Sequence, residues 1–151
     1  MQNTVQRVPA HTTPSANERI RQDMKARVAQ LAGEQPEALD RRLKELDEEW
    51  DIERALETNG SALLLLGLAL GVFVNRRWLL LPAAVGGFCL QHALQGWCPP
   101  IEVFRRRGIR TAREIDEERV ALKILRGDFA QSFTTDEPEQ TAEALLETAR
   151  R

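Results

Sequence analysis

Two cysteines lie in the most apolar third of the 151-residue chain. Cys89 and Cys98 are nine positions apart, which on one helix places them about 180° apart around the axis and about 13 Å apart along it. A disulfide needs Cα atoms within about 7 Å of each other, so a single helix cannot join them. Cys89 and His92 could approach one metal ion, but two ligands do not make a structural zinc site. We therefore expect neither a bound metal nor another cofactor.

Cys98 is the candidate for thiol chemistry. The segment 104–113 that follows it contains five arginines and no acidic residue, namely Arg105, Arg106, Arg107, Arg110 and Arg113. Nearby positive charge stabilises a thiolate. We therefore expect Cys98 to react faster with a water-soluble reagent than Cys89, which lies deeper in the apolar run. Plain packing of Cys98 is the competing interpretation.

Gln91, His92 and Gln95 are the clearly polar side chains inside the second apolar stretch of the chain. Polar side chains inside a membrane are candidates for function. They also hydrogen-bond between helices, which contributes about 1 kcal/mol each, and we favour this interpretation over contact with a proton, an ion or a quinone. No set of residues has the spacing of an active site, so the sequence predicts a protein that is not an enzyme and has no catalytic residue.

These polar residues and cysteines lie within two uncharged stretches that are joined by a turn with two arginines. Thr58–Asn75 has 18 residues and Trp78–Ile101 has 24. A helix needs about 20 apolar residues to cross a bilayer, and Trp78 and Trp97 would lie about 28 Å apart, one at each interface. The sequence therefore predicts an all-α fold, in which a two-helix transmembrane hairpin is flanked by amphipathic cytoplasmic helices. The alternative is a buried hairpin in a soluble bundle, whose charged remainder would have to cover both helices.

Each predicted membrane helix has one face of small or polar residues. On the first helix these are Gly60, Gly67 and Gly71. On the second helix they are Ala84, Gly87, Gln91, Gln95 and Cys98. Small residues let two helix backbones approach closely, so we expect the two faces to meet within the hairpin. Homodimerisation through the glycine face is the competing use.

The flanking sequence predicts further helices. Capping boxes at Ser15–Glu18 and Thr111–Glu114 mark two helix starts. A helix that begins near Pro36 and runs toward Thr58 carries a heptad-like stripe of Leu39, Leu43, Leu46 and Trp50. It would lie along the membrane, pair with a neighbour or pack within its own chain. The predicted organisation is a disordered tail (1–14), N-terminal cytoplasmic helices (15–57), the hairpin (58–100), a basic connection with a cytoplasmic helix (101–129) and a short last helix (130–151).

The distribution of basic residues predicts the orientation of the hairpin. More arginine and lysine lies near its outer flanks than in its turn, and such residues stay in the cytoplasm, so we expect both termini there. The arginines of 105–113 would then face anionic lipid headgroups. The lipid bilayer is the predicted partner, and a net charge of −2 gives no reason to expect nucleic acid. The first residues lack the apolar run of a signal peptide, so the hairpin would itself be the insertion signal.

The run NGSALLLLGLALGVFVNRRWLLLPAAVGGFCLQHALQGWCPP resembles the bacterial YgaP-like transmembrane domain, a two-helix module of largely unknown function. The flanks EWDIERALETNG and REIDEERVALKILRGDF resemble a stand-alone branch with cytoplasmic helices, so the resemblance covers roughly residues 37–129. It implies a bacterial inner membrane. The namesake protein anchors a rhodanese domain, but this sequence has no matching active-site loop, so no catalytic residue carries over.

The function predicted from these features is that of a non-enzymatic membrane module. Its hairpin would anchor the cytoplasmic helices and dock on a second copy or on a partner in a membrane complex. One alternative is a membrane thiol protein that passes sulfur or electrons through Cys98. The other is a small oligomeric transport or ion-conducting protein that uses Gln91, His92 and Gln95.

Overall fold

The computed structural model describes residues 7–129, and all regular structure within them is helical. The α-helices are α1 (Arg7–Ala10), α2 (Pro14–Leu31), α3 (Pro36–Glu48), α4 (Ile52–Phe73), α5 (Leu80–Gln95), α6 (Pro99–Arg106) and α7 (Ala112–Arg126), with a 3₁₀ helix at Arg76–Leu79 between α4 and α5. The predicted all-α class is thereby confirmed. The short helix predicted within 130–151 lies outside the described residues.

The chain forms two compact units. Within the described residues, the first unit comprises residues 7–23 and 49–115, and the second comprises residues 24–48 and 116–129. The apolar helices α4 and α5 and all of α6 belong to the first unit, and α3 belongs to the second.

The first unit has a small apolar core beside its two long apolar helices. Val8, Ile52, Cys98 and Ile101 are buried together there, and Leu56, Phe104 and Ile109 pack against them. Because Val8 lies on α1, this helix is part of the core. The prediction of a disordered tail over 1–14 is therefore wrong for residues 7–14. A single valine among polar neighbours is too weak a sequence signal to predict a helix.

Two arginines of the first unit are buried and paired. The Arg105 guanidinium donates to both carboxylate oxygens of Glu114 at 2.6 and 2.8 Å and to the Asn17 side chain at 2.8 Å. Arg110 donates to both carboxylate oxygens of Glu49 at 2.7 and 2.6 Å. Buried charges persist in proteins when they are paired and hydrogen-bonded in this way. These pairs tie the segments around α6 to the ends of α2, α4 and α7.

The second unit packs an apolar stripe around a buried carboxylate. Its buried apolar residues include Leu39, Leu43, Leu46 and Leu122. Glu118 on α7 is fully buried and accepts hydrogen bonds from Arg42 at 2.8 Å and from Arg27 at 3.2 Å. The leucine stripe predicted from the heptad-like spacing therefore packs within its own chain.

The predicted long helix from Pro36 toward Thr58 ends earlier than expected. α3 ends at Glu48, and α4 begins at Ile52 after a cap in which the Asp51 carboxylate accepts from the Arg54 backbone N–H at 2.7 Å. An aspartate at this position satisfies one of the free N–H groups of a new helix. The boundary predicted at residue 58 therefore lies inside α4.

The boundary predicted at residue 100 is also wrong, because the two prolines begin a helix. α5 ends at Gln95, and the next residue, Gly96, closes the last turn with a left-handed φ of 77° and an N–H···O bond to the His92 carbonyl at 2.7 Å. Pro99 and Pro100 then occupy the first turn of α6, where a missing N–H costs little. The second capping box is confirmed, since Thr111 and Glu114 bond reciprocally at the start of α7.

Candidate functional site: an apolar helix pair

α4 and α5 run antiparallel and contact each other along their length. A Cβ atom built at Gly60 would lie 3.4 Å from Cys89 Sγ, and one built at Gly67 would lie 2.5 Å from Pro82 Cδ. At Gly71 a Cβ atom would collide with the Leu79 side chain. As the residue number along α4 rises from 60 to 71, the residue number of the contact partner falls from 89 to 79. The two helices therefore run in opposite directions.

The three glycines of α4 face α5 and the turn before it. Gly67 and Gly71 are buried, although leucines and valines that surround them in the sequence are exposed. A side chain at Gly67 would meet Pro82 of α5, and one at Gly71 would meet Leu79 of the 3₁₀ helix, at distances that real Cβ atoms do not show. These two positions therefore set how closely the helices approach.

The face of α5 at this contact differs from the prediction. Ala84 is exposed, and a Cβ atom built at Gly87 would meet nothing within 4 Å. The residues that touch the glycines of α4 are instead Leu79, Pro82 and Cys89. The prediction that Ala84 and Gly87 pack against α4 is therefore wrong, because the rigid proline ring fills the close approach that small residues were expected to provide.

The outer surface of the helix pair is apolar and exposed. Of the most apolar 18-residue window in the stretch Pro36–Phe73, only 11% is buried, and this is the one described helical stretch long and apolar enough to cross a membrane. Its neighbour α5 has 16 residues. Large exposed side chains on the two helices and their turn include Leu63, Leu65, Leu66, Leu68, Val72, Phe73, Val74, Trp78, Leu80, Phe88, Leu90 and Leu94. A contiguous apolar surface of this kind marks a site of interaction with lipid or with another protein.

Tryptophans lie at both ends of the pair. Trp78 lies in the turn between α4 and α5, and Trp97 follows the end of α5. Trp50 precedes α4, so it lies at the same end of the pair as Trp97, and the Arg54 guanidinium lies 4.3 Å from the centre of its ring. All three indoles are partly exposed. The sequence does not reveal this position of Trp50, because the heptad spacing places it on one helix with the leucines of α3, whereas it lies in the link between α3 and α4.

A polar cluster joins α1, α4 and α5 at this same end. His92 Nε2 lies 2.8 Å from the Glu53 carboxylate, and the Arg7 guanidinium lies 3.7 Å from the same carboxylate. Arg7 also donates to the Ala93 carbonyl at 2.9 Å, which pairs one of the free carbonyls of the last turn of α5. His92 Nδ1 is buried without a hydrogen-bond partner among the described residues.

The prediction that the polar residues of α5 lie deep inside the membrane is wrong for His92. Glu53 lies in the first turn of α4 and His92 in the last turn of α5, so their contact lies at the end of the pair and not midway along it. Gln91 is half-buried and Gln95 is exposed. The sequence does not identify Glu53 as a partner, because it predicts that the cytoplasmic helix continues through this residue.

Cys98 is buried and lies after the last residue of α5. Its side chain packs with Val8, Ile52 and Ile101, whereas Cys89 is exposed. Burial in this apolar core raises the pKa of the Cys98 thiol, and the backbone N–H of Ile101 opposes that rise without cancelling it. The expectation that Cys98 is the more accessible thiol is therefore wrong, and the pKa of its thiol is raised and not lowered.

The arginines of 105–113 divide into structural and exposed residues. Arg105 and Arg110 are buried in the ion pairs described above, so the prediction that they face lipid headgroups is wrong. Arg106 is exposed and pairs with Glu102 at 2.8 Å, while Arg107 and Arg113 are exposed. The hydrogen bonds from Arg106 and from Thr13 lower the pKa of Glu102. Three of the five arginines thus remain at the surface.

The described residues contain no group of three or more histidine, cysteine or acidic side chains placed to bind a metal ion. No protein-family model, curated protein or solved structure matches the chain. The feature that defines the described site is therefore physical: two close-packed helices with an apolar outer surface, indoles at both ends and a polar cluster at one end.

Proposed function

We propose that the chain is a non-enzymatic integral protein of the bacterial inner membrane, of the YgaP-like type. In this proposal α4 and α5 form a transmembrane hairpin, both termini are cytoplasmic, and the hairpin anchors the helices that precede and follow it in the sequence. The observation that carries the proposal is the exposure of the apolar window in the one described helical stretch that is long and apolar enough to cross a membrane. A core helix of a soluble protein would be mostly buried.

The dimensions of the two helices suit a thin hydrocarbon layer. α4 has 22 residues and α5 has 16, which correspond to lengths of about 33 Å and 24 Å. A hydrocarbon core is about 30 Å thick, and shorter helices are accommodated by local thinning or by association. Trp78 and Leu79, the last two residues of the 3₁₀ helix, add apolar length before α5.

The polar groups support an arrangement with one end of the pair in the headgroup region. His92, Glu53 and Arg7 form their cluster at the end that also has Trp50 and Trp97. Charged groups are costly in hydrocarbon and indoles favour the interface. At the opposite end, Arg76 and Arg77 are exposed beside Trp78, where they would reach the other headgroup layer.

The two other predicted functions gain no support from a specific observation. Thiol chemistry at Cys98 would require access to a side chain that is buried. A transport path through Gln91, His92 and Gln95 would require a continuous polar route, whereas His92 is paired with Glu53 at one end of the pair.

A charge placed at Leu65 distinguishes a lipid-facing surface from a water-facing one. Leu65 is 69% exposed and lies in the middle of the apolar part of α4. A lysine in the middle of a membrane helix costs about 2.5–3.5 kcal/mol on insertion scales, so Leu65→Lys should reduce the amount of protein that resists alkaline extraction from bacterial membranes. The matched control is Ala112→Lys on the exposed first turn of α7, which should leave extraction unchanged. A native protein that is released by alkali would overturn the proposal.

The orientation is tested separately with reporters that are active only in the periplasm. A reporter inserted in the turn at 75–77 should be active, and one fused after Arg151 should be inactive. A strong signal from the fusion after Arg151 would contradict the cytoplasmic position of that end, while leaving membrane insertion itself in place.

A further inference from the structure

The turn between α4 and α5 carries two exposed arginines, Arg76 and Arg77. The Asn75 side chain accepts a hydrogen bond from the Arg77 backbone N–H at 2.9 Å. The backbone N–H of Trp78 donates to the Asn75 carbonyl at 3.0 Å, which closes the turn. These bonds fix the backbone from which both arginine side chains extend, at one end of the helix pair.

The carboxylates of α4 lie far from this turn, and α5 has none. The whole stretch 58–101 contains no acidic residue, and the acidic residues of α4, Glu53 and Glu57, lie in its first two turns. Glu57 and the last residue of α4, Phe73, are separated by about 24 Å along the helix. Charges at a surface are largely screened beyond about 8–10 Å at physiological salt. The two helices therefore leave the positive charge of the turn without a counter-charge.

The opposite end of the helix pair has charges of both signs. The Arg7 guanidinium lies 3.7 Å from the Glu53 carboxylate, and Arg106 on α6 pairs with Glu102 at 2.8 Å. Acidic side chains thus offset basic ones at this end, although more arginines follow it in the sequence. The turn is the end of the pair at which arginines stand apart from the acidic residues of α4, α5 and α6.

Large apolar side chains flank the two arginines of the turn. Phe73 is 85% exposed, Val74 is 67% exposed and Trp78 is 46% exposed. Guanidinium groups bind phosphate through paired N–H···O hydrogen bonds, and an indole favours the interface between hydrocarbon and water. A free phosphate ion would satisfy the arginines and leave this apolar surface in water. A phospholipid supplies a phosphate and an apolar body together, so it fits both features.

We propose, on the basis of the membrane hairpin proposed above, that the turn binds phospholipid headgroups of net negative charge. The lipid phosphate accepts hydrogen bonds from Arg76 and Arg77, and the acyl chains lie against Phe73, Val74 and Trp78. A zwitterionic lipid also has a phosphate, but it brings a cationic amine that the two guanidinium groups repel. One basic residue near an anionic headgroup favours the association about fivefold. The turn therefore prefers anionic lipid several-fold, whereas the opposite end does not.

Tryptophan quenching by brominated lipids tests the proposal on the full chain in vesicles. Trp50→Phe with Trp97→Phe leaves Trp78 as the reporter at the turn, and Trp50→Phe with Trp78→Phe leaves Trp97 at the other end. The vesicles contain phosphatidylglycerol and phosphatidylcholine in equal amounts, and only one of the two is brominated in each sample. Bromine quenches an indole that it contacts, so the two samples give the local ratio of the lipids. We expect a ratio of at least about threefold in favour of phosphatidylglycerol at Trp78, and a ratio near one at Trp97.

Substitution of arginines locates the preference. Arg76→Gln with Arg77→Gln should bring the ratio at Trp78 close to one, whereas Arg106→Gln with Arg107→Gln should leave it unchanged. High salt should lower the ratio of the native turn, because it screens the attraction. Inorganic phosphate at millimolar concentration and constant ionic strength should not lower it, because the free ion lacks the apolar body.

Three results would each overturn the proposal. They are equal ratios at the two reporters, an unchanged ratio after substitution of the two arginines of the turn, and loss of the preference in inorganic phosphate. The last result would identify a site for the free ion. Each of them leaves the membrane hairpin in place, since quenching by brominated phosphatidylcholine reports insertion by itself. Absence of quenching at Trp78 by either lipid would remove the hairpin and the lipid site together. Both leaflets contain both lipids, so the result does not depend on which side of the membrane the turn faces.

Discussion

The imidazole of His92 and the carboxylate of Glu53 lie 2.8 Å apart and join the last turn of α5 to the first turn of α4. They are 39 residues apart in sequence, so this contact closes the open end of the helix pair. The turn at Arg76–Leu79 closes the other end covalently. Arg7 adds a third element, because it contacts both Glu53 and the Ala93 carbonyl.

The His92–Glu53 contact should stabilise the open end of the pair. His92→Ala and Glu53→Ala should each lower the free energy of unfolding by about 1 kcal/mol, because each removes one partner of a half-buried hydrogen bond. The double variant should cost less than the sum of the two, with a coupling energy of at least about 0.5 kcal/mol. Denaturant unfolding in detergent micelles would measure all three. Gln95→Ala is the control, because Gln95 lies on the same turn but is exposed, and it should change the stability little. If the effects of His92→Ala and Glu53→Ala simply add in the double variant, the contact is not made.

The second prediction concerns the glycines at the α4–α5 contact. Gly67→Leu and Gly71→Leu should separate the helices, because a side chain at either position would collide with Pro82 or Leu79. The expected result is loss of the folded helix pair, measured by unfolding in micelles and by a reduced yield of inserted protein.

Gly87 supplies the matched control for those substitutions. It lies on the adjacent helix with open space around it, so Gly87→Ala should be neutral or stabilising by up to about 1 kcal/mol, as expected when alanine replaces an exposed helical glycine. Damage at Gly87 equal to that at Gly67 would mean that both helices pack through small residues, as the sequence alone suggested.

The helices of this fold were largely predictable, and their contacts were not. Runs of apolar residues and the box Thr111–Glu114 identify elements because they act locally. Which side of α5 faces α4 depends on how Pro82 fits against Gly67, and a helical projection cannot supply that. The tandem prolines 99 and 100 could likewise either end one helix or begin another. In the structure α5 has already ended before Gly96, so the prolines begin α6.

The arginine cluster shows a second limit of sequence reasoning. A run of basic residues beside an apolar stretch fits lipid headgroups, and Arg106 and Arg107 are exposed accordingly. Arg105 and Arg110 are buried because Glu114 and Glu49 approach them from other elements. Nothing in the local sequence separates these two groups, since their partners are chosen by the tertiary structure.

The third prediction is that the Arg105–Glu114 pair makes the first unit sensitive to acid. Burial alone would raise the pKa of Glu114, but the hydrogen bond from Arg105 and those from Thr111 together hold it below its ordinary value of 4.5. A carboxyl group whose pKa is lower in the folded state contributes stability above that ordinary value and loses the contribution as the pH falls through the lowered pKa. Unfolding measured from pH 7 down to pH 3 should therefore show a loss of stability that is smaller in Glu114→Gln.

At neutral pH the same substitution should be strongly destabilising. Glu114→Gln leaves the fully buried Arg105 guanidinium without its counter-charge, a change that typically costs about 3–5 kcal/mol. Adding Arg105→Met should recover much of that loss, because it removes the unpaired charge. Glu102→Gln is the comparison, since its partner Arg106 is exposed and screened by water, and it should have little effect. If Glu102→Gln and Glu114→Gln lower the stability equally, the difference in burial between Arg106 and Arg105 has no energetic effect and the prediction is wrong.

The fourth prediction is that the Cys98 thiol is protected in the folded protein from a charged, water-soluble maleimide. The thiolate is the reactive form, and burial both raises the pKa of Cys98 and blocks access to it. Cys89→Ser leaves Cys98 as the only thiol, and this variant should label slowly when folded and fast after denaturation.

Cys98→Ser leaves Cys89, which is exposed on the apolar surface of α5. If that surface faces lipid, an apolar maleimide should label Cys89 and the charged one should not, whereas labelling of Cys89 by both reagents would indicate water at the helix pair. Rapid labelling of Cys98 in the folded protein would mean instead that its packing with Val8, Ile52 and Ile101 opens easily, and would restore the thiol function that its burial argues against.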